Sequence, residues 1–202
     1  MASNHPTFQI FSGTDDTSCI CMPQNHLAST LYMHQVHTLA SNLEKFSADP
    51  AKARAQYPWA IRFAMGHPLA PWQRPAVWID EQKVRFITSI WMGADLGSYL
   101  VNEWYAYADR TGAFAINSEV LLDGQQRLTA LEGYLLGEFG VPDALGQVRF
   151  WSELGNAERR RFLNMPFAQA RVHSDDETAL RQAYDLRAFG GTPHTEDQRA
   201  SA

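Results

Sequence analysis

The chain has 202 residues and contains little cysteine, few lysines and no long apolar run. Its two cysteines, Cys19 and Cys21, are two positions apart, a spacing that rarely has disulfide geometry, and a metal site needs more ligands. We expect them to be free thiols in a reducing cytoplasm. No stretch approaches the ~20 apolar residues of a membrane span, and the first residues lack the basic and apolar parts of a signal peptide. The sequence therefore predicts a cytoplasmic protein that does not enter a membrane.

The balance of charges bears on which partners are expected. A net charge of −5 gives an overall field that does not favour DNA. The basic residues, however, are fourteen arginines and only three lysines, Lys45, Lys52 and Lys83. Arginine presents a planar set of donors that matches phosphate oxygens. With 45% apolar residues, a chain of this length can bury its own core as one domain, or as a domain with an extra lobe.

The most informative segment is residues 119–131, which read EVLLDGQQRLTAL. A short apolar strand over 120–122 is followed by the turn signal Asp123-Gly124 and by a helix predicted over 125–136. Asp123 is expected to cap this helix, and Gly124 would let a ligand approach the backbone closely. A helix start presents unbonded N–H groups and the positive end of the helix dipole, so the turn suits a bound phosphate.

Arg127, in the first turn of this helix, carries further donors for such a phosphate. We expect it to be exposed, so that Arg127→Ala would change the stability by ~0.5 kcal/mol or less. Gln125 and Gln126 can both donate and accept hydrogen bonds. The alternative interpretation is an ordinary capped helix whose polar residues are simply exposed, because such turns are common.

The letters DGQQRLTAL at 123–131 resemble the signature of the N-terminal domain of GmrSD-type, modification-dependent restriction enzymes, a family placed in the ParB/sulfiredoxin-like superfamily. An earlier block, QRPAVWIDE at 73–81, resembles the second recurrent block of that family. A third, FGGTPHTE at 189–196, resembles its glycine-containing loop, although Ala188 and Asp185 stand where the family usually has Asn. The three blocks follow the order of the family.

The resemblance implies an α+β fold, in which a ParB/sulfiredoxin-like core of a small mixed sheet with surrounding helices occupies residues 67–202. Residues 1–24 are expected to form a loose N-terminal arm, and residues 25–66 an N-terminal helical extension. In this extension, the apolar spacing predicts a helix over 26–46, a linker over 47–55 and a short helix over 58–65.

Three prolines exclude a helix from residues 68–78, which are expected to form an extended loop held by Trp72 and Trp78. Asp80 is expected to cap the helix that follows. The remaining elements are predicted from periodicity and residue type. They are helices over 81–92, 154–163 and 175–188, and strands over 97–104, 148–151 and 167–173.

The resemblance also implies that the domain binds a nucleoside triphosphate with Mg²⁺, hydrolyses it and takes part in defence against foreign DNA. Asp123 would hold Mg²⁺ through water or orient an attacking water, and Gln126 would position that water. Arg127 and Arg74 would neutralise phosphate charge. The candidate catalytic residues are therefore Asp123, Gln126 and Arg127, and the candidate nucleotide-binding residues are Gly124, Gln125, Gln73, Arg74 and His194. No protein-bound metal site is predicted, and Gln73 and Arg74 are expected to approach the 123–127 turn in space.

Two other functions stay open at this stage. One is a DNA-binding or adaptor module without turnover, which the basic run Arg159-Arg160-Arg161 favours and the net charge opposes. The other is an inactive relative that only binds a partner protein. As a stand-alone form of the domain, the chain is expected not to cut DNA by itself, so a separate nuclease subunit would be its partner. The sequence does not determine the oligomeric state.

Overall fold

A small mixed β-sheet with helices around it forms the centre of the computed structural model, which describes residues 27–189. The strands are β1 (Thr30–Tyr32), β2 (Phe63–Ala64), β3 (His67–Pro68), β4 (Ser98–Asn102), β5 (Leu121–Asp123), β6 (Val141–Pro142), β7 (Val148–Arg149) and β8 (Ala168–Val172). The α-helices are α1 (Val36–Ala48), α2 (Pro50–Gln56), α3 (Asp80–Trp91), α4 (Gln125–Leu135), α5 (Asn156–Leu163) and α6 (Glu177–Phe189). A short 3₁₀ helix, Trp151–Glu153, precedes α5. These elements confirm the predicted α+β fold.

Four strands pair in the order β1-β8-β4-β5. β4 and β8 run parallel, with Tyr99 opposite Gln169, and the two outer pairs are antiparallel, which makes the sheet mixed. β2 pairs with β3, and β6 with β7, in two separate antiparallel pairs. At the β5 edge, a single parallel bridge joins Leu121 to Leu69. This bridge brings the loop that follows β3 alongside β5.

Side chains alternate between the two faces of the sheet, as the pleat of a strand requires. Tyr99 and Val101 belong to the core that α1, α3 and α4 share. Leu100 and Leu122 belong to a smaller cluster, to which α6 contributes Leu180. The end of β5 therefore lies between two packed layers, and the turn that follows it is held from both sides.

The helix predicted over 26–46 is wrong in about its first half. Thr30–Tyr32 is an edge strand paired with β8, and α1 begins only at Val36. All three residues of β1 are exposed, so their sequence has no alternation that would reveal a strand. The linker predicted over 47–55 is also wrong, because Asp49 accepts a hydrogen bond from the Lys52 N–H and Pro50 opens α2. An N-cap aspartate followed by proline is a helix-start signal.

The helix predicted over 58–65 is replaced by the β2–β3 hairpin. Its two-residue turn has positive φ at both Met65 (50°) and Gly66 (78°), the conformation of a type I′ turn. A Cβ on Gly66 would lie 2.9 Å from the backbone oxygen of Asn42, so the turn packs directly on α1. The apolar residues before Gly66 suit a buried hairpin as well as a helix, and a run this short does not distinguish the two.

The other predicted helices and strands are present, with ends that differ by a few residues. Residues 69–79 form the expected irregular loop, and α3 begins at Asp80 with Ile79 as its N-cap, so Asp80 does not cap it. The division of the chain at residues 24 and 66 stays a prediction. The structure places β1 in the main sheet and Leu39 of α1 in the main core. Between residues 27 and 189, no helix is both long and apolar enough to span a membrane.

Candidate functional site

The turn between β5 and α4 begins the helix with Gly124, not with Asp123. Gly124 is the N-cap, at φ 102°, and no side chain caps the helix, so the expectation that Asp123 does so is wrong. The first helical bond is donated by the Leu128 N–H to the Gly124 carbonyl. Within the described part of the chain, no acceptor engages the N–H groups of residues 125–127. The positive end of the α4 dipole is therefore left for solvent or a ligand.

Gly124 is needed for packing within the protein. A Cβ at this position would lie 2.6 Å from Cβ of Tyr99 in β4, a distance that real Cβ atoms do not show. The left-handed φ adds a second requirement for glycine. The absence of a side chain at Gly124 therefore lets strand β4 approach the turn. Tyr99 of β4 occupies the space beside Gly124, so this space does not admit a ligand.

Arg127 lies under the turn, against the expectation that it would be exposed. Its guanidinium donates to the carbonyls of Leu96 (2.7 Å) and Ser98 (3.0 Å) and to Asp123 Oδ2 (3.3 Å). The ring of Phe167 lies 5.9 Å from its Cζ. Burial lowers the pKa of Arg127, and the negative charge of Asp123 opposes this effect. Arg127 therefore ties α4 to the start of β4.

A second arginine, which the sequence analysis missed, reaches the same carboxylate from α6. Arg187 Nε donates to Asp123 Oδ2 (3.0 Å), and its Nη2 donates to the carbonyl and to Oγ (3.1 Å) of Ser98. Asp123 thus lies between two guanidinium groups. No local pattern marks Arg187, because its partners are far away in the sequence.

Gln73 is buried beside β5, with 4% of its surface exposed. Its Nε2 donates to the carbonyls of Leu121 and Leu122, both at 2.7 Å. Its Oε1 is buried and has no hydrogen-bond partner in the described part of the structure. Gln73 therefore binds the proline-rich loop to the strand that leads into the turn.

Gln126 holds the same loop a few residues later. Its Oε1 accepts from the N–H groups of Val77 (2.9 Å) and Trp78 (3.1 Å), and its Nε2 donates to the Pro75 carbonyl (3.4 Å). Both ends of the amide are used within the protein. The two segments, about fifty residues apart, are thus brought together, as the sequence analysis expects.

Two polar side chains beside the turn stay available. Arg74 is exposed between Gln73 and Pro75, and only its carbonyl is engaged, by Arg62. Gln125 is half-buried in the first turn of α4. Neither side chain has a hydrogen-bond partner among residues 27–189. His194, the remaining predicted residue of the site, lies outside the described residues.

The basic run on α5 is mostly occupied. Arg159 lies over the ring of Trp151 and donates to the Ser152 carbonyl (3.0 Å), while Arg161 lies over the ring of Trp91 and pairs with Glu158 (2.7 Å). Of the three arginines in the run, only Arg160 is exposed and has no partner in the described region. The run therefore offers one unpaired charge, which weakens its support for DNA binding.

A large cavity, of about 850 Å³, lies elsewhere, between α1, α2 and the sheet. None of the predicted site residues lines it. Its residues include His67, whose pKa burial lowers to about 4, with the positive charge of Arg171 as a second cause. At its wall, Tyr57 Oη donates to Glu119, and burial together with this bond raises the pKa of Tyr57. The sequence gives no sign of this cavity, because its lining comes from segments scattered between residues 34 and 171.

Metal ligands are not grouped in the described part of the molecule. Between residues 27 and 189, no three His, Cys, Asp or Glu side chains lie together as a metal ion would require. Asp123, the predicted Mg²⁺ residue, has two positive guanidiniums at its carboxylate, and these oppose a cation at the same place.

Comparison with known protein families identifies a match over most of the described chain. Residues 67–194 match the family described as "GmrSD restriction endonuclease, N-terminal domain". A search of curated proteins and a search of solved structures each found no match. The matched segment includes β4, β5, α4 and the proline-rich loop, and so contains the whole turn region described above.

Proposed function

The chain belongs to the family of the GmrSD restriction endonuclease N-terminal domain, and from this premise we propose that it is a nucleotide-binding module of a DNA restriction system. The ligand is a nucleoside triphosphate that carries Mg²⁺ on its own phosphates, as such nucleotides do. Hydrolysis of the triphosphate is the second part of the proposal, and it is supported by the family resemblance alone.

One observation carries the binding proposal: the loop that bears the unpaired Arg74 is tied to an uncapped helix start. The N–H groups of residues 125–127 have no described acceptor, and the loop that bears Arg74 is fixed to the same turn through Gln73 and Gln126. Backbone N–H groups at a helix start and an arginine are the usual ligands of phosphate in proteins. Gln125, also unbonded, adds a neutral donor.

The bonded residues of the turn have a different task in this proposal. Gln126 and Arg127 have their donors and acceptors engaged by the loop and by β4. They act as positioning residues that fix the α4 start and Arg74 relative to each other. Asp123, between two arginines, orients these side chains, and Mg²⁺ is held by the nucleotide itself.

The test is calorimetric titration of the purified protein with ATP, GTP, CTP and UTP, with and without Mg²⁺. Arg74→Gln is expected to weaken the binding of the preferred nucleotide about tenfold or more, since a charge-assisted contact to phosphate is worth roughly 1.5–3 kcal/mol. Arg160→Gln is the matched control, because Arg160 is also exposed and unpaired in the described region but lies on α5. Its binding should equal that of the wild type.

Two outcomes of the titration would contradict the proposal. If no triphosphate binds at millimolar concentration, or if Arg74→Gln and Arg160→Gln bind equally well, the proposal is wrong. Release of inorganic phosphate, measured with the same preparations, decides whether the bound nucleotide is hydrolysed. Incubation with modified and unmodified plasmid then tests whether cleavage requires a separate nuclease subunit, and a mobility-shift assay tests DNA binding without turnover.

A further inference from the structure

The cavity of about 850 Å³ is open to solvent and is lined mainly by five parts of the fold: α1, α2, the β2–β3 turn, β4 and β8. Gly66 sets its shape, because the turn lies so close to α1 that a Cβ would meet the backbone of Asn42. This contact places His67 beside Asn42 at the floor. Ligand cavities in proteins usually have volumes of roughly 300–1,000 Å³, so the space suits a small molecule.

The floor of the cavity is polar, and Arg171, which lines the cavity beside it, has its charge paired with Glu103. His67 is half-buried and lines the cavity, and its lowered pKa keeps it neutral at pH 7. Asn42 Nδ2 lies 3.5 Å from His67 Nε2, at the limit of a hydrogen bond. Gln169 is 7% exposed, and its Oε1 accepts from Arg171 Nε (2.6 Å), which leaves its amide NH₂ as a donor. These groups offer donors and acceptors to a neutral polar ring.

The mouth of the cavity carries the positive charge. Two of the three lysines of the chain, Lys45 on α1 and Lys52 on α2, line it. Both are exposed, and neither ammonium group has a partner among the described residues. The third lysine, Lys83, lies on α3 and pairs with Asp80 (3.0 Å).

The carboxylates that line the cavity are all engaged by the protein. Glu103 pairs with Arg171 (2.9 Å), Glu119 accepts from Tyr57, and Asp49 caps α2 through the Lys52 N–H (2.9 Å). Asp49 and Glu119 accept from neutral donors and so keep their charge, but each already has a hydrogen bond within the protein. The two ammonium groups are the charges of the lining that have neither an ion pair nor a hydrogen bond among the described residues. An anionic group at the mouth would meet both of them.

We propose that this cavity is a second ligand site, which takes a small phosphomonoester that carries a hydrogen-bonding ring, such as a nucleoside monophosphate. The phosphate lies at the mouth between Lys45 and Lys52, and the ring lies on the floor formed by His67, Asn42 and Gln169. Phe46 and Tyr57, which also line the cavity, supply apolar surface for the faces of the ring. The site is separate from the turn at 123–127, so it does not depend on the proposed function.

The experiment titrates wild-type protein with AMP, GMP, CMP and UMP, and with inorganic phosphate as the probe of the mouth alone. The double substitution Lys45→Gln and Lys52→Gln is expected to weaken the binding of both phosphate and the preferred monophosphate at least tenfold. Lys83→Gln is the matched control and should leave both affinities unchanged. Arg74→Gln, which tests the turn, should leave them unchanged as well.

The floor is tested by His67→Phe, which keeps an aromatic ring but removes the ring nitrogens. We expect the monophosphate to bind at least fivefold more weakly while inorganic phosphate binds as before. Asn42→Ala replaces this variant if His67→Phe does not fold, as checked by circular dichroism. Absence of binding at millimolar concentration, loss of binding in Arg74→Gln but not in the double lysine variant, or an unchanged monophosphate affinity in the floor variants would overturn the proposal.

Discussion

At the turn between β5 and α4, the polar side chains that the sequence singles out are mostly bonded to the protein itself, whereas the two lysines of the cavity beside α1 have no partner among the described residues. Arg127 and Gln126 each hold two or more backbone groups. Lys45 and Lys52, in contrast, have no partner for their ammonium groups in the described structure.

The difference shows that the polar residues of a motif can hold together the segments around a site without binding the ligand themselves. A buried guanidinium or amide needs partners, since an unsatisfied polar group costs about 1–3 kcal/mol. Once Arg127 and Gln126 have satisfied this need within the protein, few of their donors remain for a ligand. The groups that do remain are the exposed Arg74 at the turn and the scattered residues of the cavity.

The largest effect is expected at Gly124. Gly124→Ala adds a Cβ that meets Tyr99 at 2.6 Å and places alanine at φ 102°. Strain and overpacking together should lower the free energy of unfolding by about 3 kcal/mol or more, measured by urea denaturation. Gly137→Ala is the control, because it also has positive φ (77°) but meets nothing within 4 Å, so it should lose only about 1 kcal/mol. Equal losses would mean that β4 does not pack on the turn.

A smaller but still large effect is expected at Arg127. Arg127→Ala removes bonds to two backbone carbonyls and to Asp123. Arg187 still donates to Ser98 and Asp123, but the Leu96 carbonyl loses this donor. The free energy of unfolding should fall by about 2–3 kcal/mol. Arg160→Ala, on an exposed and unpaired arginine of the described region, should change it by less than about 0.5 kcal/mol. Two equally small changes would restore the sequence-based expectation that Arg127 is exposed.

The smallest expected loss of stability comes from His67, at the floor of the cavity, and it depends on pH because the pKa of this side chain is lowered. In the folded protein the pKa of His67 is about 4, below its ordinary value of 6.5, so the unfolded chain binds a proton first as the pH falls. The contribution of His67 to stability is therefore complete above pH 6.5 and is lost as the pH falls towards 4. By pH 4.5 this loss should reach about 2 kcal/mol.

The pH prediction is checked by urea denaturation of wild type and His67→Phe from pH 7 to pH 4.5. All other titrating groups are shared, so the wild type should lose more stability than the variant over this range. Parallel curves would mean that His67 takes up a proton in the folded state and that the floor of the cavity is wetter than the structure indicates.

Much of the fold follows from local patterns in the sequence. The leucines of α4 recur at helical spacing, and the apolar run before Asp123 predicts β5, so both elements are found nearly where they are expected. Elements without such patterns were missed. β1 is exposed along its whole length, and the Met65-Gly66 turn has Met where a two-residue hairpin usually has Asn, Asp or Gly.

The sequence by itself determined the break between β5 and α4, the helix after it and the shortage of lysine. Only the tertiary structure decided which groups the polar residues of that break bind. The partners of Arg127 come from Leu96 and Ser98, and those of Gln126 come from the loop that contains Pro75. A hydrogen bond requires two atoms within about 3.2 Å, and for residues tens of positions apart this distance is set by the packing of the whole chain. Periodicity reports only on neighbours along a helix or strand, so it reveals neither the ties at the turn nor the meeting of Lys45 and Lys52 at the mouth of the cavity.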